Sequence, residues 1–361
     1  MSKKKKVAIL FGGRSVEHGV SVNSARNIFE FIDKSRFEPV PIGITKAGQW
    51  FLTNGVTRDI GQGKALGLML DAQNPGFLLL SSGDRFKVDL IFPVLHGTDG
   101  EDGSIQGLIR AMDIPMVGTG VLGSSISMNK ILSKQLLRAA GLPVTDFVAF
   151  RHEEKETLDF NAIKAAVGLP FMVKSASLGS SVGVNKVSDE TAFRKAVEDS
   201  FRYDDEILIE SFVKGREVEC AILGNTPPEA TMPGEVVISD KYDFYTFDAK
   251  YVDPEAVRID VPARLDTGTA EKVREICLRA YRVLHCEDFA RVDLFVTDDG
   301  RMYINEINTI PGFTNASMYP MMWKERGVDF TQLITRLLDL ALERYDRGKR
   351  IEREYNSALK F

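Results

Sequence analysis

The chain has 361 residues, 44% of them hydrophobic and 27% charged, with a formal net charge of −5 at pH 7. That length supports two or three domains around a sizeable core, and the absence of concentrated positive charge argues against nucleic acid as a partner. Three cysteines (Cys220, Cys277, Cys286) and four histidines are scattered without metal-ligand spacing, which argues against a zinc site and fits a reduced cytoplasmic protein. The apolar stretch after Lys3–Lys6 ends at Gly12-Gly13, too soon for a secretory signal, and no run reaches the roughly 20 apolar residues of a membrane span.

In chain order, "KKVAILF" (5–11) predicts a strand, followed by a Gly-Gly turn and a helix-like "SVNSARNIFEFI". Strands follow at "FEPVPIGIT" and "VDLIFPVLHG", with a helix at "EDGSIQGLIRAM". This alternation predicts an N-terminal α/β domain with a mainly parallel sheet over residues 1–125. Gly12 and Gly13 end the first strand, where α/β folds place ligand loops, and Glu17 beyond them can receive an ammonium group or cap the helix. His96 lies in a second Gly-rich strand end, "LHGTDGEDGSIQG", where it can bind substrate or cap the next helix. "GTGVLG" (118–123) matches G-x-G-x-x-G, but its strand is short and late in the unit, so it reads as a linker between domains and not as a dinucleotide fingerprint. No P-loop pattern occurs.

A second unit, residues 126–221, opens with "MNKILSKQLLRAAG", whose Ile131, Leu132, Leu136 and Leu137 recur at helical spacing before a stop at Gly141. "FMVKSA", "VGVNKV", a helix near 189–200, "EILIESFV" and "EVECAIL" then predict a small α+β layer of antiparallel character. Within it, "MVKSASLGSSVGVNKV" puts Lys174 before a Gly/Ser loop whose N–H and hydroxyl groups can cradle phosphate; a mobile hairpin tip has the same composition. The last unit, 222–361, holds an aromatic segment, "SDKYDFYTFDAKYVDP", which suits a lid over about 239–262 or ordinary loop packing. Helices near 268–286 and 329–347 flank a hairpin.

That hairpin, "ARVDLFVTDDGRMYINEIN", turns at Asp299-Gly300. With those two residues as the loop, Asp293 falls opposite Glu306 and Arg291 opposite Asn308, all on one face; a three-residue loop would shift the pairing. Facing carboxylates suit a hard cation such as Mg²⁺ shared with phosphate, and the guanidinium suits phosphoryl or oxyanion oxygens. A surface ion-pair ladder is the plain alternative.

Taken together, "GGRSVEHGVS", "LHGTDGEDGSIQG", "KSASLGSSVGV", "YTFDAKY", "RVDLF" and "NEINTIPGFTNAS" resemble, in the same order, the D-alanine–D-alanine ligase family of the ATP-grasp superfamily. The resemblance implies a three-domain ATP-grasp fold, α/β and α+β, with an N-terminal Rossmann-like domain and ATP between the last two domains. It implies that Lys130 and Lys174 stand on the phosphate side, that Ser180 and Ser181 belong to the phosphate loop, and that Lys250 also reaches ATP. Glu210 with the hinge Ser211-Phe212-Val213 matches the adenine pocket, where the family commonly has Lys and Trp in place of Ser211 and Phe212, and Glu217 matches the ribose carboxylate. Asp293, Glu306 and Asn308 match the ligands of two Mg²⁺ ions, for which Mn²⁺ can substitute, and a monovalent cation is left open.

The implied reaction phosphorylates the carboxylate of one D-alanine, and the amine of a second then displaces phosphate. Arg291 and the Gly312 N–H match the oxyanion holders, and Gly suits position 312 because a side chain could obstruct that approach. Glu17 matches the receiver of the first ammonium, linked to Ser180 and Tyr251; His96 lies near the first carboxylate, and Lys250, Ser317 and Met318 belong to the second substrate's site. Tyr251 favours an amine over a hydroxy acid as nucleophile. A homodimer without membrane association is implied as well. Rival readings are a ligase using D-lactate or D-serine, a non-catalytic nucleotide-binding module, and a dinucleotide oxidoreductase.

Overall fold

The computed structural model describes residues 3–180, 183–239, 256–352 and 355. Strand β1 (Lys5–Gly12) is apolar from Val7 to Phe11 and wholly buried, as a central parallel strand must be. It pairs in parallel with β2 (Phe37–Ile44) and β7 (Leu90–Pro93), and helix α1 (His18–Phe31) covers one face. The sheet does not stay parallel. From β2 it continues antiparallel through β3 (Trp50–Leu52), β4 (Lys64–Met69), β5 (Gly76–Leu79) and β6 (Arg85–Phe86), so the mainly parallel sheet expected from the sequence is a mixed one. Short strands whose connections lack room for a crossover pair as neighbours running back, and the segments from residue 50 to 86 are of that kind.

Helix α2 (Ser104–Met112) leads through "GTGVLG" to α3 (Val121–Met128) and α4 (Lys130–Ala139). The GTG segment carries contacts to the last unit. Gly118 N donates to the buried Asp288 carboxylate at 2.8 Å, and Arg344 bonds the Met116 and Gly118 carbonyls and Asp288. Gly123 serves packing, since a Cβ there would lie 2.3 Å from the His285 carbonyl. On α4 the helical spacing is real but its apolar residues divide: Ile131 and Leu137 are buried, whereas Leu132 and Leu136 are exposed.

The central sheet, in the order β10 (Val184–Val187), β9 (Phe171–Ser175), β11 (Glu206–Ser211) and β8 (Phe147–Arg151), is antiparallel throughout. It has its own core, in which Phe160, Phe171 and Phe193 pack around Ile207 and Ile209 under α5 (Phe160–Val167) and α6 (Glu190–Ser200). "EVECAIL", assigned from the sequence to this unit, belongs to the next. As β12 (Arg216–Leu223) it pairs with β16 (Phe289–Val296), with the two-residue β13 (Glu229–Ala230) and with β14 (Gly234–Ile238), because its apolar residues Val218, Cys220 and Ile222 face the core beneath α7 (Thr267–Val283).

The third sheet runs β15 (Val257–Asp260), β14, β12, β16 and β17 (Met302–Asn308). Helices α8 (Met318–Glu325) and α9 (Phe330–Gly348) close it against the N-terminal sheet. Phe92 of β7 meets Phe289 and Phe313 edge-on at 6.3 and 6.2 Å, so the first and last units share one core while the central sheet keeps its own.

Candidate active site

The β16–β17 register decides which side chains meet. Asp293 does face Glu306, and Arg291 faces Asn308, as the sequence predicts. The route to that pairing is different. Thr297 N donates to the Arg301 carbonyl and Val296 pairs with Met302, so the loop has three residues, Asp298 to Gly300. Alone, that shift would separate the pairs. An irregularity next to Asp293 inserts Asn305 as an extra residue on β17, and the register recovers by one. Asn305 is itself used: its Oδ1 accepts from Lys174 Nζ at 3.1 Å.

Around that pair, Arg291 makes a two-pronged contact with Asp293, Nε to Oδ1 and Nη2 to Oδ2 both at 2.7 Å, and Nε also lies 2.9 Å from Glu219 Oε2. Burial works against the guanidinium charge, but Asp293 and Glu219 outweigh it and raise its pKa further above the ordinary arginine value. Asn308 Nδ2 donates to Asp293 Oδ2 at 3.0 Å, and Glu306 is 3.3 Å from Lys130 Nζ. Among the described residues no group of three or more His, Cys, Asp or Glu side chains converges as a self-sufficient metal cage. Two carboxylates and an amide on neighbouring strands are instead the partial oxygen set that Mg²⁺ completes with phosphates, so the donor chemistry fits the ion.

Of these residues Glu219, Arg291, Glu306 and Asn308 line a cleft of about 350 Å³ that also receives Glu17, His96, Ser180, Gly312, Ser317 and Met318, with Asp293 buried next to it. Glu17 precedes α1 but its side chain makes no capping bond, which removes the helix-cap reading. Ser180 Oγ donates to its carboxylate across the boundary between the first and central units. A Cβ at Gly97 or Gly179 would fall 2.7 or 2.8 Å from Glu17 Oε2, so two glycines make the slot that holds this buried carboxylate.

His96 caps no helix either: α2 starts at Ser104 with Gly103 as its cap. Its Nδ1 is 2.9 Å from the Ile310 carbonyl, so Nδ1 carries the proton, and Nε2 then accepts from Ser24 Oγ at 3.0 Å. Burial lowers its pKa, in keeping with a neutral ring. Ser24 Oγ in turn accepts from Phe313 N at 3.2 Å, so these contacts brace the Pro311-Gly312 turn from both sides. At Gly312 a Cβ would meet Ser317 Oγ at 2.9 Å, which gives the glycine a reason nearer than the obstruction expected from the sequence. Ser317 is the N-cap residue of α8, but its hydroxyl pairs with Thr314 and not with the helix. The amide end of α8 is left facing the cleft side, where it favours a carboxylate.

Ser211, Phe212 and Val213 line a neighbouring cleft of about 560 Å³ with Asp146, Asp298 and Tyr303. Lys186 stands 4.4 Å over the Phe212 ring. Glu210 points away from that cleft into the protein: Lys174 Nζ is 2.5 Å from Oε1, while Lys134 Nζ (2.8 Å) and Thr145 Oγ1 (2.5 Å) reach Oε2. Burial opposes ionisation of Glu210, yet the two lysines hold its pKa well below the usual carboxylate range. Glu217 lies on β12 opposite Phe295 and Val236, close enough in charge to act on Lys174. Ser181, Lys250 and Tyr251, and most of the expected lid, lie outside the described residues.

Four contributors went unnoticed in the sequence. Glu101 accepts from Gly97 N at 2.8 Å and Ile310 N at 3.1 Å, tying the His96 loop to the Gly312 turn; its place in "GEDG" beside His96 was the available signal. Glu219 was marked by the E-x-E spacing of an otherwise apolar strand. Lys134 sat inside a good helical pattern and gave no signal. Asn305 becomes visible only with the bulge.

Three sheets with an ionic seam between the last two, where Lys130 and Lys174 pair with Glu306 and Glu210 beside a cleft of oxygen donors, fit the ATP-grasp class of enzyme. The comparisons narrow that class. Residues 6–119 match the family model "D-ala D-ala ligase N-terminus" and residues 136–339 match "D-ala D-ala ligase C-terminus". The chain is 45% identical to D-alanine–D-alanine ligase of Shouchella clausii (97% of this chain, 98% of that protein) and 43% identical to D-alanine–D-alanine ligase A of Escherichia coli K12 (95% and 97%). The ligase structure from Coxiella burnetii aligns with TM-score 0.84 at 34% identity over 96% of this chain and 98% of that one. VanG D-Ala:D-Ser ligase of Enterococcus faecalis aligns with TM-score 0.85 at 35% identity over 94% and 100%. The chain belongs to the D-alanine–D-alanine ligase family.

Proposed function

We propose that the chain joins two D-alanines into D-alanyl-D-alanine, using ATP and releasing ADP and phosphate, in the cytoplasmic supply of peptidoglycan precursors. The observation that carries this is one shared cleft. Glu17, an ammonium receiver, shares it with Arg291 and Gly312, which face a carbonyl, and with the oxygen donors Glu306 and Asn308, next to which Asp293 pairs with Glu306.

Each residue has work in that scheme. Lys130 and Lys174 hold the nucleotide phosphates, Ser211-Phe212-Val213 border adenine while Glu210 before them is turned inward to Lys174 and Lys134, Glu217 takes ribose, and Ser181 and Lys250 add phosphate-side contacts. Two Mg²⁺ ions, or Mn²⁺, held by Asp293, Glu306 and Asn308 would neutralise charge as phosphoryl is transferred. Glu17 fixes the first D-alanine by its ammonium group, supported by Ser180, and His96 stands near its carboxylate. One carboxylate oxygen attacks the γ-phosphorus and ADP leaves. The amine of the second D-alanine, held through its carboxylate by Lys250, Ser317 and the start of α8 at Met318, attacks the acyl carbon. The oxyanion is met by Arg291 and the Gly312 N–H, and phosphate departs. Closure by the lid and Tyr251 keeps water from the acyl phosphate.

D-serine as second substrate is the other reading, favoured by the VanG likeness at nearly equal overlap; Tyr251 favours an amine nucleophile in either case. Incubation with ATP, Mg²⁺ and D-alanine, alone and with D-serine or D-lactate, should give phosphate in step with dipeptide mass. Absence of D-alanine-dependent phosphate refutes the ligase reading, and a preferred mixed product moves the assignment to the second. We also propose a homodimer, to be read from sedimentation velocity.

A further inference from the structure

Lys134 is 1% exposed, projects from α4 and does not reach the cleft. A lysine so deeply buried loses side-chain entropy and hydration, and a leucine there would pack well. Its ammonium has three partners: Glu210 Oε2 at 2.8 Å, Thr145 Oγ1 at 3.2 Å and the Ile304 carbonyl at 3.2 Å. The last lies on β17, one residue before the bulge. The other oxygen of Glu210 is 2.5 Å from Lys174, so one buried carboxylate is divided between two lysines.

We infer that Lys134 is a positioning residue for ATP use, which occupies one oxygen of Glu210 and so limits that carboxylate's hold on Lys174. This rests on the phosphate role proposed for Lys174. The divided arrangement leaves the three groups with a net positive charge, which lets Lys174 answer both Glu210 and an anionic phosphate. Without Lys134 the trio becomes a neutral one-to-one pair. Lys174 is then drawn to Glu210 alone, and the site attracts the nucleotide less. Burial pulls the Lys134 pKa below its ordinary value; at Lys174 burial also opposes the charge, but the charge and hydrogen bond of Glu210 together with the charges of Glu306 and Glu217 outweigh it and raise the pKa. The Ile304 contact fixes the spacing between α4 and the strand that carries Glu306 and Asn308.

The test compares K134M, K134R, K174M and the double variant K134M/E210Q as full-length enzyme, with ATP and D-alanine varied separately. K134M should raise the ATP KM about tenfold and leave the D-alanine KM within about twofold, and K134R should recover most of the loss. Adding E210Q to K134M frees Lys174 and should return the ATP KM to within about twofold of wild type. Equal losses with both substrates, or a double variant no better than K134M, overturn the inference. Should K134M not fold, the double variant, which removes the pair as a unit, decides alone: an ATP KM about tenfold above wild type overturns it. K174M separates the two levels, because unchanged ATP kinetics there refute the phosphate role itself.

Discussion

Two carboxylate clusters flank the seam between the central and last sheets, and they are built from the same chemistry for different ends. Glu210 is 3% exposed and closed in by Lys134, Lys174 and Thr145. Glu306 is 22% exposed beside Lys130 and lines the cleft, while Asp293 opposite it is buried, its carboxylate held by Arg291, which also meets Glu219. A carboxylate sealed among cations can only organise its neighbours. One that keeps an edge toward a cleft, with its cation shared, can also meet a ligand. The partial exposure of Glu306 separates the two roles.

The comparison breaks most visibly at Glu210. Substitution by alanine strands two buried ammonium groups, and the expected loss is about 3–5 kcal/mol of unfolding free energy, measured by urea denaturation. A loss near zero would mean that water reaches the lysines and that the cluster is not sealed. At the open cluster the balance is reversed. Glu306→Gln is expected to lower kcat about 10²–10³-fold, yet to cost only about 1 kcal/mol of stability, because Glu306 is partly exposed and Lys130 keeps the Leu178 carbonyl. Comparable stability losses at both positions would remove the distinction.

A smaller effect concerns Glu101, which joins the open cleft to the N-terminal sheet. Burial, aided by the charge of Glu17, pushes its pKa up to about 8. The folded state then holds a proton that the unfolded chain has released, so stability contributed by this group is present at low pH and falls as pH rises from the ordinary carboxylate range toward 8. Between pH 6 and pH 8 the expected decline is about 2 kcal/mol, and Glu101→Gln should flatten that slope in urea midpoints across the range. An unchanged slope would assign the pH dependence to other groups.

The sequence carried more of the open cluster than of the sealed one, for reasons visible in single residues. Alternation along β16 and β17 put Arg291, Asp293, Glu306 and Asn308 on one face, and that much follows from strand geometry alone. Their pairing was inferred correctly through an incorrect two-residue turn, because the bulge at Asn305 offsets the longer loop. Glu17 and His96 were visible through glycine loops at strand ends. The alternative roles as helix caps fell only when the side chains were located. The parallel character of the first sheet was overestimated, since short strands after β2 look alike whichever way they run.

By itself the sequence determined the apolar strands and helices, the glycine loops and the order of chemical segments, because these depend on spacing between near neighbours. Tertiary structure decided which sheet β12 joins, that Glu210 is shared by Lys134 and Lys174, and that Glu101 and His96 brace a turn more than 200 residues away. Those outcomes depend on where a side chain is buried and which charge it meets there. Burial is a property of the packed chain and has no period along the sequence.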